Sequence, residues 1–388
     1  MEPIRVLHVL GGTSLGGAES RIMDLYRQMD RRVLQFDFLV HSDEKPRRPQ
    51  YFDEEIQKLG GRIYVLPKMK LYNYPVYRKA VVRFFRDHHE FAAVHGHMTS
   101  TAGIYLPIAE RFGIPHTIAH ARSAGVDKGV KGLATRILRL GLVNKAEACF
   151  ACSEEAAVSV FGRKANADGR VTIFPNAIDP DRFAFRDKVR REIRHELGIE
   201  DAFVVGHVGR FHYSKNHEYL IRVFAAFREN CGKESGRRAA LLLLGEGALM
   251  EPAKALCREL GVDQDVIFAG NCGNVEAYYN AMDLFCFPSR FEGLPGTVVE
   301  AQANGLPCLV SDRITREVGI TELVRYESID ASPQNWAALI DERAAHEGAR
   351  RSYTEEITAA GFDVREQARR LQAYYMGDSS AVLKQAAR

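Results

Sequence analysis

The stretch FVVGHVGRFHYSKN, residues 203–216, reads like the beginning of a domain although it stands in the middle of the chain. An apolar, β-branched run ends in glycine, a loop with Arg210 and Lys215 follows, and a helical pattern opens near Asn216. Near the N-terminus RVLHVL (5–10) leads in the same way into GGTSLGGAES (11–20) and another helical pattern. A strand that ends in a glycine loop and continues as a helix is the opening unit of a doubly wound α/β sheet. Its recurrence predicts two such sheets.

Outward from these starts, short apolar runs alternate with amphipathic stretches. The first half gives FDFLV (36–40), RIYVLP (62–67), AAVHGH (92–97), HTIAHA (116–121) and ACFACS (148–153). The second gives ALLLLG (240–245), VIFAG (266–270), LFCFPS (284–289) and PCLVSD (307–312). Near-continuous apolar strands separated by helices indicate parallel sheets covered on both faces. The segment PNAIDPDRF (175–183), with two prolines and no helical period, marks the joint. The expected division is 1–178 and 179–362, followed by a helix over 363–376 and a tail over 377–388.

The 388 residues, 46% hydrophobic and 27% charged, have the composition of an ordinary globular protein. No apolar run approaches the roughly 20 residues that span a bilayer, and MEPIRVLHVLGG reads as a strand rather than a leader. Seven cysteines show no disulfide framework, so a reducing, cytoplasmic setting is expected. The C-x-x-C of Cys149 and Cys152 lies in strand-like sequence without a second pair, and an inert role is expected. The net charge of +3 is uneven: residues 1–180 carry 26 Lys and Arg against 19 Asp and Glu, and residues 181–388 carry 27 against 31. The first half therefore suits an anionic partner.

The chemistry concentrates at strand ends. In FEGLPGTVVEAQANGLP (291–307), Glu292 should sit on a loop after a buried strand, and Glu300 about one turn into a helix closed by Gly305. The pair could serve acid–base or nucleophilic work, or bind vicinal hydroxyls such as those of ribose. It could also merely shape a turn and complement a helix dipole. Gly16 and Gly17 allow close backbone approach at a helix start. Arg210 and Lys215 suit a diphosphate, one as a fork and one as a point charge. Neither GGTSLGG nor GEGALM completes a dinucleotide fingerprint, which disfavours an NAD-dependent oxidoreductase.

Two helical stretches carry stripes of cations: Lys128, Lys131, Arg136 and Arg139 opposite Val130, Leu133, Ile137 and Leu140, and Lys79, Arg83 and Arg86 opposite Ala80 and Phe84. Each is expected to pack by its apolar side while its cations suit anionic lipid headgroups. No aromatic-interleaved basic motif points to nucleic acid.

The GG-x-E loop, the G-R-x4-K-N of residues 209–216 and the P-S-x-x-E-G-L-P-x4-E-A-x-A-x-G-x-P run together resemble the family-4 retaining glycosyltransferases of GT-B fold. GRFHYSKNHEYLI, EGLPGTVVEAQANGLPCLVSD and PNAIDPDRF resemble in particular the branch that builds capsular and exopolysaccharides. The resemblance runs from about residue 4 to 375. It implies two Rossmann-like domains facing each other across a cleft, the first binding the acceptor and the second a nucleotide sugar, with the 363–376 helix crossing back to the first.

On that resemblance, Glu300 binds the ribose, and Glu292 with Gly293 and Leu294 lies beside the donor sugar. Arg210 and Lys215 neutralise the diphosphate, with Gly16 and Gly17 closing over it. His120 stands near the reacting sugar, and Asn271 lies where the base is held. The implied reaction moves a hexose or N-acetylhexosamine, with UDP the expected nucleotide, to a lipid-linked or oligosaccharide acceptor, a polyprenyl-diphosphate-linked saccharide being one candidate. It needs no cofactor or metal, and Asp179-Pro180-Asp181 lies in the linker rather than at a strand end. The expected location is the cytoplasmic face of the plasma membrane. A sugar-nucleotide epimerase and a silent partner of another transferase are the alternatives. HARSAG (120–125) and Gly296-Thr297 depart from the family pattern, so Arg122 and Ser123 occupy ground often held by histidine or asparagine. His95 and His97 are expected to be structural, with acceptor contact as the alternative.

Overall fold

The computed structural model describes residues 2–123, 130–234, 238–345 and 349–382. The chain forms two compact units, Met1–Ala177 with Val364–Arg388, and Ile178–Asp363.

The first unit is built on seven parallel strands: β1 (Ile4–Val9), β2 (Leu34–His41), β3 (Ile63–Leu66), β4 (Ala93–Gly96), β5 (His116–Ala121), β6 (Ala148–Ala151) and β7 (Val171–Ile173). Their order is β3-β2-β1-β4-β5-β6-β7. The alternation of apolar runs and helices forces this arrangement, because each strand must be covered on both faces. Asp37 is the exception inside β2, and Arg5 on β1 satisfies it with an Nε–H bond to Oδ2 at 2.6 Å. The helix Val364–Tyr375 belongs to this unit: Val364, Leu371, Tyr374 and Tyr375 enter the core formed by Val6, Ile22, Phe36 and Phe150. Each such side chain contributes about 2 kcal/mol on burial.

The second unit has six parallel strands: β8 (Phe203–Val208), β9 (Ala239–Leu244), β10 (Val266–Gly270), β11 (Leu284–Phe287), β12 (Cys308–Ser311) and β13 (Val324–Glu327), ordered β10-β9-β8-β11-β12-β13. Strand β9, AALLLL, is buried throughout. The single tryptophan, Trp336, is buried in this unit's core.

Two strands escape the sequence pattern. β7 has only three residues, and β13 is a half-polar edge strand, VRYE, with no fully buried residue. In each sheet the winding reverses beside its first strand, between β1 and β4 and between β8 and β11. Ligands of open α/β sheets bind at such switch points, beyond the carboxyl ends of the strands.

Arg350 fixes the elements that frame the second switch point. Its guanidinium donates to the carbonyls of Met282 at 2.8 Å, Tyr279 at 3.0 Å and Asn304 at 3.0 Å. It thereby caps helices Val275–Ala281 and Gly296–Ala303 with a cation, where the helix dipole favours one. Burial lowers its pKa to about 9. Gly305 ends the second helix at φ +73°, and a Cβ there would strike the Arg351 carbonyl. That close approach is why the residue is glycine.

Candidate active site

Lys215 ends the short turn Tyr213–Lys215 after β8, and Glu292 lies on the loop after β11. Strand order makes these loops neighbours, and Lys215 Nζ meets Glu292 Oε1 at 2.7 Å. Both side chains are about five-sixths buried, at 17% exposure, and the ammonium sits 4.7 Å from the Phe287 ring centroid. An ion pair held over an aromatic face is oriented before any ligand arrives.

Asn216 joins the two loops. It adopts the left-handed conformation, φ 57°, which asparagine tolerates better than most residues. Its Nδ2–H donates to the Pro288 carbonyl at 3.2 Å, and Arg290 donates to its Oδ1 at 2.6 Å. The sequence motif contained Asn216 without disclosing this bridging role, and Arg290 carried no signal.

Glu300 is 4% exposed on the helix Gly296–Ala303, where the Tyr279 hydroxyl donates to its Oε2 at 2.8 Å. Gly293 and Leu294 are buried beneath the same loop. Ser289 Oγ and Thr297 Oγ1 are buried without a hydrogen-bond partner among the described residues. Such hydroxyls call for water or a polar ligand. Arg210, in the same loop as Lys215, is exposed and forms no side-chain ion pair among the described residues. Asn271 is exposed and donates to Glu246 Oε2 at 3.0 Å.

The GEG of residues 245–247 packs against the Arg210 loop: a Cβ at Gly245 would strike the Gly209 carbonyl, and one at Gly247 the Phe211 carbonyl. This close packing, rather than a pyrophosphate fingerprint, accounts for its glycines. His207 and His217 lie behind the loop, and burial lowers their pKa values to about 3 and about 2.

The first unit places different residues at its switch point. Gly16 precedes the helix Gly17–Gln28 in extended conformation, and Gly17 opens it with free space where a Cβ would be. Beside this loop, His8 on β1, His95 on β4, His97 just beyond it and His120 on β5 form a cluster. Desolvation lowers all four pKa values, His8 to about 3. Arg122 sets two of the tautomers. Its Nε–H donates to His97 Nδ1 at 3.2 Å, and a guanidinium can only donate. The His97 proton is therefore on Nε2, from which it donates to His8 Nδ1 at 3.0 Å. His95 Nδ1 lies 2.5 Å from the Tyr375 hydroxyl and its Nε2 lies 2.9 Å from His120 Nδ1. His120 Nε2 has no hydrogen-bond partner among the described residues.

Ring nitrogens of His8, His95 and His97 lie within 4.8 Å of one another, a grouping that could hold a metal ion. The Arg122 charge beside His97 opposes a cation there, and the Nδ1 lone pairs of His8 and His97 are engaged. Cys149 and Cys152 are buried free thiols, and burial pushes the Cys149 pKa up to about 12, which suits an inert role.

The helix Val130–Arg139 corrects one expectation. Its apolar side does not pack inward: Leu133 and Ile137 are exposed, as is Leu140 beyond it, whereas Arg139 donates inward to Thr99 Oγ1 at 3.1 Å. Arg136 is exposed; Lys128 and the side chains of Val130 and Lys131 lie outside what the structure describes. In the helix Tyr74–Asp87 the cations Lys79, Arg83 and Arg86 are exposed, as expected, but Ala80 and Phe84 are only half-buried and the face that turns inward is Tyr77, Val81 and Phe85. Among the described residues no helix is long and apolar enough to cross a membrane.

Comparisons with known proteins accord with this layout. Residues 15–182 match the family Glycosyltransferase Family 4, and residues 189–358 match Glycosyl transferases group 1. The chain is 34% identical over 368 residues to the putative glycosyltransferase EpsF of Bacillus subtilis, covering 93% of this chain and 94% of the relative. It is 22% identical to the capsular polysaccharide biosynthesis glycosyltransferase CapH of Staphylococcus aureus, over 87% and 90% of the two chains. Over 37% of each chain it is 28% identical to the Escherichia coli UDP-Gal:alpha-D-GlcNAc-diphosphoundecaprenol alpha-1,3-galactosyltransferase. The crystal structure of Anabaena Alr3699/HepE in complex with UDP superposes with a TM-score of 0.69 at 16% identity, covering 98% of this chain and 97% of that one.

Proposed function

The chain belongs to the family-4 glycosyltransferases of GT-B fold, in the branch of exopolysaccharide and capsule biosynthesis, and from that premise we propose that it transfers a hexose or N-acetylhexosamine from a UDP-sugar to a lipid-linked saccharide with retention of configuration. The observation that carries the reading is the Lys215–Glu292 pair beside buried Glu300 at the switch point of the second sheet. Glu300, oriented by Tyr279, accepts hydrogen bonds from the ribose hydroxyls, and the exposed loop of Asn271 meets the base.

Lys215 and Arg210 face the departing diphosphate. Charge develops there as the glycosidic bond breaks, and preorganised cations stabilise it without solvent reorganisation. These two cations do the work a metal would otherwise do, so the reaction is proposed to be metal-independent. Glu292 holds Lys215 in place and, with the backbone of Gly293 and Leu294, lines the sugar position. Within the first unit, His120 offers its Nε2 to a sugar hydroxyl, and the helix start at Gly16 and Gly17 offers N–H groups to a phosphate. UDP is favoured by the HepE complex, and a diphosphoundecaprenol-linked acceptor by the Escherichia coli relative's name.

Exposed Leu133, Ile137 and Leu140 next to Arg136, with Lys79, Arg83 and Arg86 on a second helix, support peripheral attachment to the anionic cytoplasmic membrane face. Flotation with anionic vesicles at low salt should recover the protein, and a Leu133→Glu/Ile137→Glu variant should stay behind. The test of the reaction is incubation with labelled UDP-sugars, with and without a polyprenyl-diphosphate saccharide. Labelled product that requires the acceptor is expected. Isomerised donor without acceptor would point to an epimerase, and no turnover with bound donor to a silent partner.

A further inference from the structure

Arg122 is a half-buried, strongly desolvated guanidinium at the carboxyl edge of the first unit's sheet, and its two hydrogen-bond partners among the described residues are both neutral. Nε–H donates to His97 Nδ1 at 3.2 Å and Nη1–H to Asn176 Oδ1 at 2.8 Å. That engages two of five N–H groups. The other polar groups that influence it are the Cys152 thiol, the Tyr375 phenol, whose pKa burial pushes well above its ordinary value, and Arg21, a second cation. Arg21 stands close by, donating to the carbonyl of Ala177 at 3.2 Å, the residue after Asn176. Among the described residues no carboxylate pairs with Arg122.

Most other partly buried arginines of this protein meet a carboxylate: Arg5 meets Asp37, Arg47 meets Asp53 at 2.6 Å, and Arg190 and Arg194 share Asp283. Arg350 lacks an ion pair too, but the carbonyls of Tyr279, Met282 and Asn304 fill its fork, whereas Arg122 keeps three N–H groups to spare. A desolvated charge without a counter-charge is costly and persists where something else supplies the compensation. The half-exposed His97 beside it and the glycine loop at the start of helix Gly17–Gln28 leave this edge open on the same side of the sheet.

We propose that Arg122 is the anchor of an oxyanion site in the first unit, taking a phosphate or carboxylate of the substrate through its free guanidinium fork. Arginine binds both anions through paired parallel N–H bonds. The anion can come from a diphosphate carrier or from an acidic sugar of the acceptor. Only that choice of molecule rests on the transferase reading; the site itself rests on Arg122.

The test uses the full chain carrying Arg210→Ala and Lys215→Ala, which removes both cations of the second unit's candidate anion site, and follows the imidazole ¹⁵N and ¹H signals of His97 and His8. Inorganic phosphate, pyrophosphate and glucuronate are titrated separately, with glucose as the neutral control. A saturable shift of the His97 signals by at least one anion and not by glucose is expected. It should weaken at least tenfold in Arg122→Gln, and to a lesser degree in Arg122→Lys, which keeps the charge, loses the fork and serves if the glutamine variant does not fold. A response to the phosphates alone assigns the carrier, and a response to glucuronate alone assigns an acidic sugar. No shift with any anion, or a shift that survives unchanged in both variants, overturns the proposal. The readout is independent of turnover, so a wild-type chain without turnover alongside this response in the variants would sink the transferase reading and leave the site standing.

Discussion

At the switch point of the second unit a lysine meets a carboxylate at 2.7 Å, while at that of the first unit four imidazoles surround a guanidinium that touches no carboxylate among the described residues. The backbone geometry is the same: a parallel sheet, a reversal beside the first strand, a glycine-bearing loop and a helix start. The charge balance differs. In the second unit the mostly buried cation, Lys215, is already neutralised and oriented, ready to exchange Glu292 for a ligand anion, with exposed Arg210 in the same loop. The first arrives with neutral rings and one uncompensated cation. Winding the sheet decides where a ligand can sit, and the few side chains at the strand ends decide what it can be.

The largest expected separation of the two units comes from acid. Burial lowers the pKa values of His8, His41, His95, His97 and His120 in the first unit and of His207 and His217 in the second. The unfolded chain binds these protons near pH 6.5 and the folded chain does not, so stability is full above pH 6.5 and declines as pH falls. Each group removes about 1.4 kcal/mol per pH unit, which makes roughly 7 against roughly 3 kcal/mol per pH unit for the two units. Trp336 reports only the second unit, so far-UV circular dichroism should fall at a higher pH than tryptophan fluorescence changes. Coincident transitions would remove the distinction.

Next in size, Lys215→Ala should lower kcat roughly 10²- to 10³-fold, as loss of a preorganised electrostatic donor does. Arg122→Ala should instead act on the KM of the acceptor and leave donor affinity in place. Steady-state kinetics in both substrates separates them, and equal effects on kcat would merge the two sites into one role.

Arg350→Ala should destabilise the second unit by about 3 kcal/mol, because the carbonyls of Tyr279, Met282 and Asn304 lose a charged donor. Urea unfolding followed by Trp336 fluorescence measures it. The smallest effect is expected from Tyr375→Phe, which removes the partner of His95 Nδ1 and should cost the first unit about 1 kcal/mol. A change seen by Trp336 in that variant would contradict the assignment of helix Val364–Tyr375 to the first unit.

Much of this was legible in the chain because it is local. Glu292 and Glu300 lie in one loop and the helix that follows it, and Lys215 follows its strand directly. The contact between Lys215 and Glu292 was not, since it depends on β11 lying beside β8. The histidine cluster likewise needs the register of three strands, in which His8 stands opposite His95. Periodicity placed Leu133, Ile137 and Leu140 on one face of a helix but could not say which face turns inward, and Arg139 took the inner side. β13 was silent because an edge strand buries little and carries no apolar run.

The most direct measurement is the affinity of UDP by calorimetry for the wild type, Lys215→Ala, Glu300→Ala and Arg122→Gln. Removing a charged hydrogen-bonding partner from the donor site should weaken binding about tenfold to a hundredfold in Lys215→Ala and Glu300→Ala, with Arg122→Gln binding as the wild type does. Wild-type affinity in Glu300→Ala, or an equal loss in Arg122→Gln, would contradict the division of labour between the two switch points.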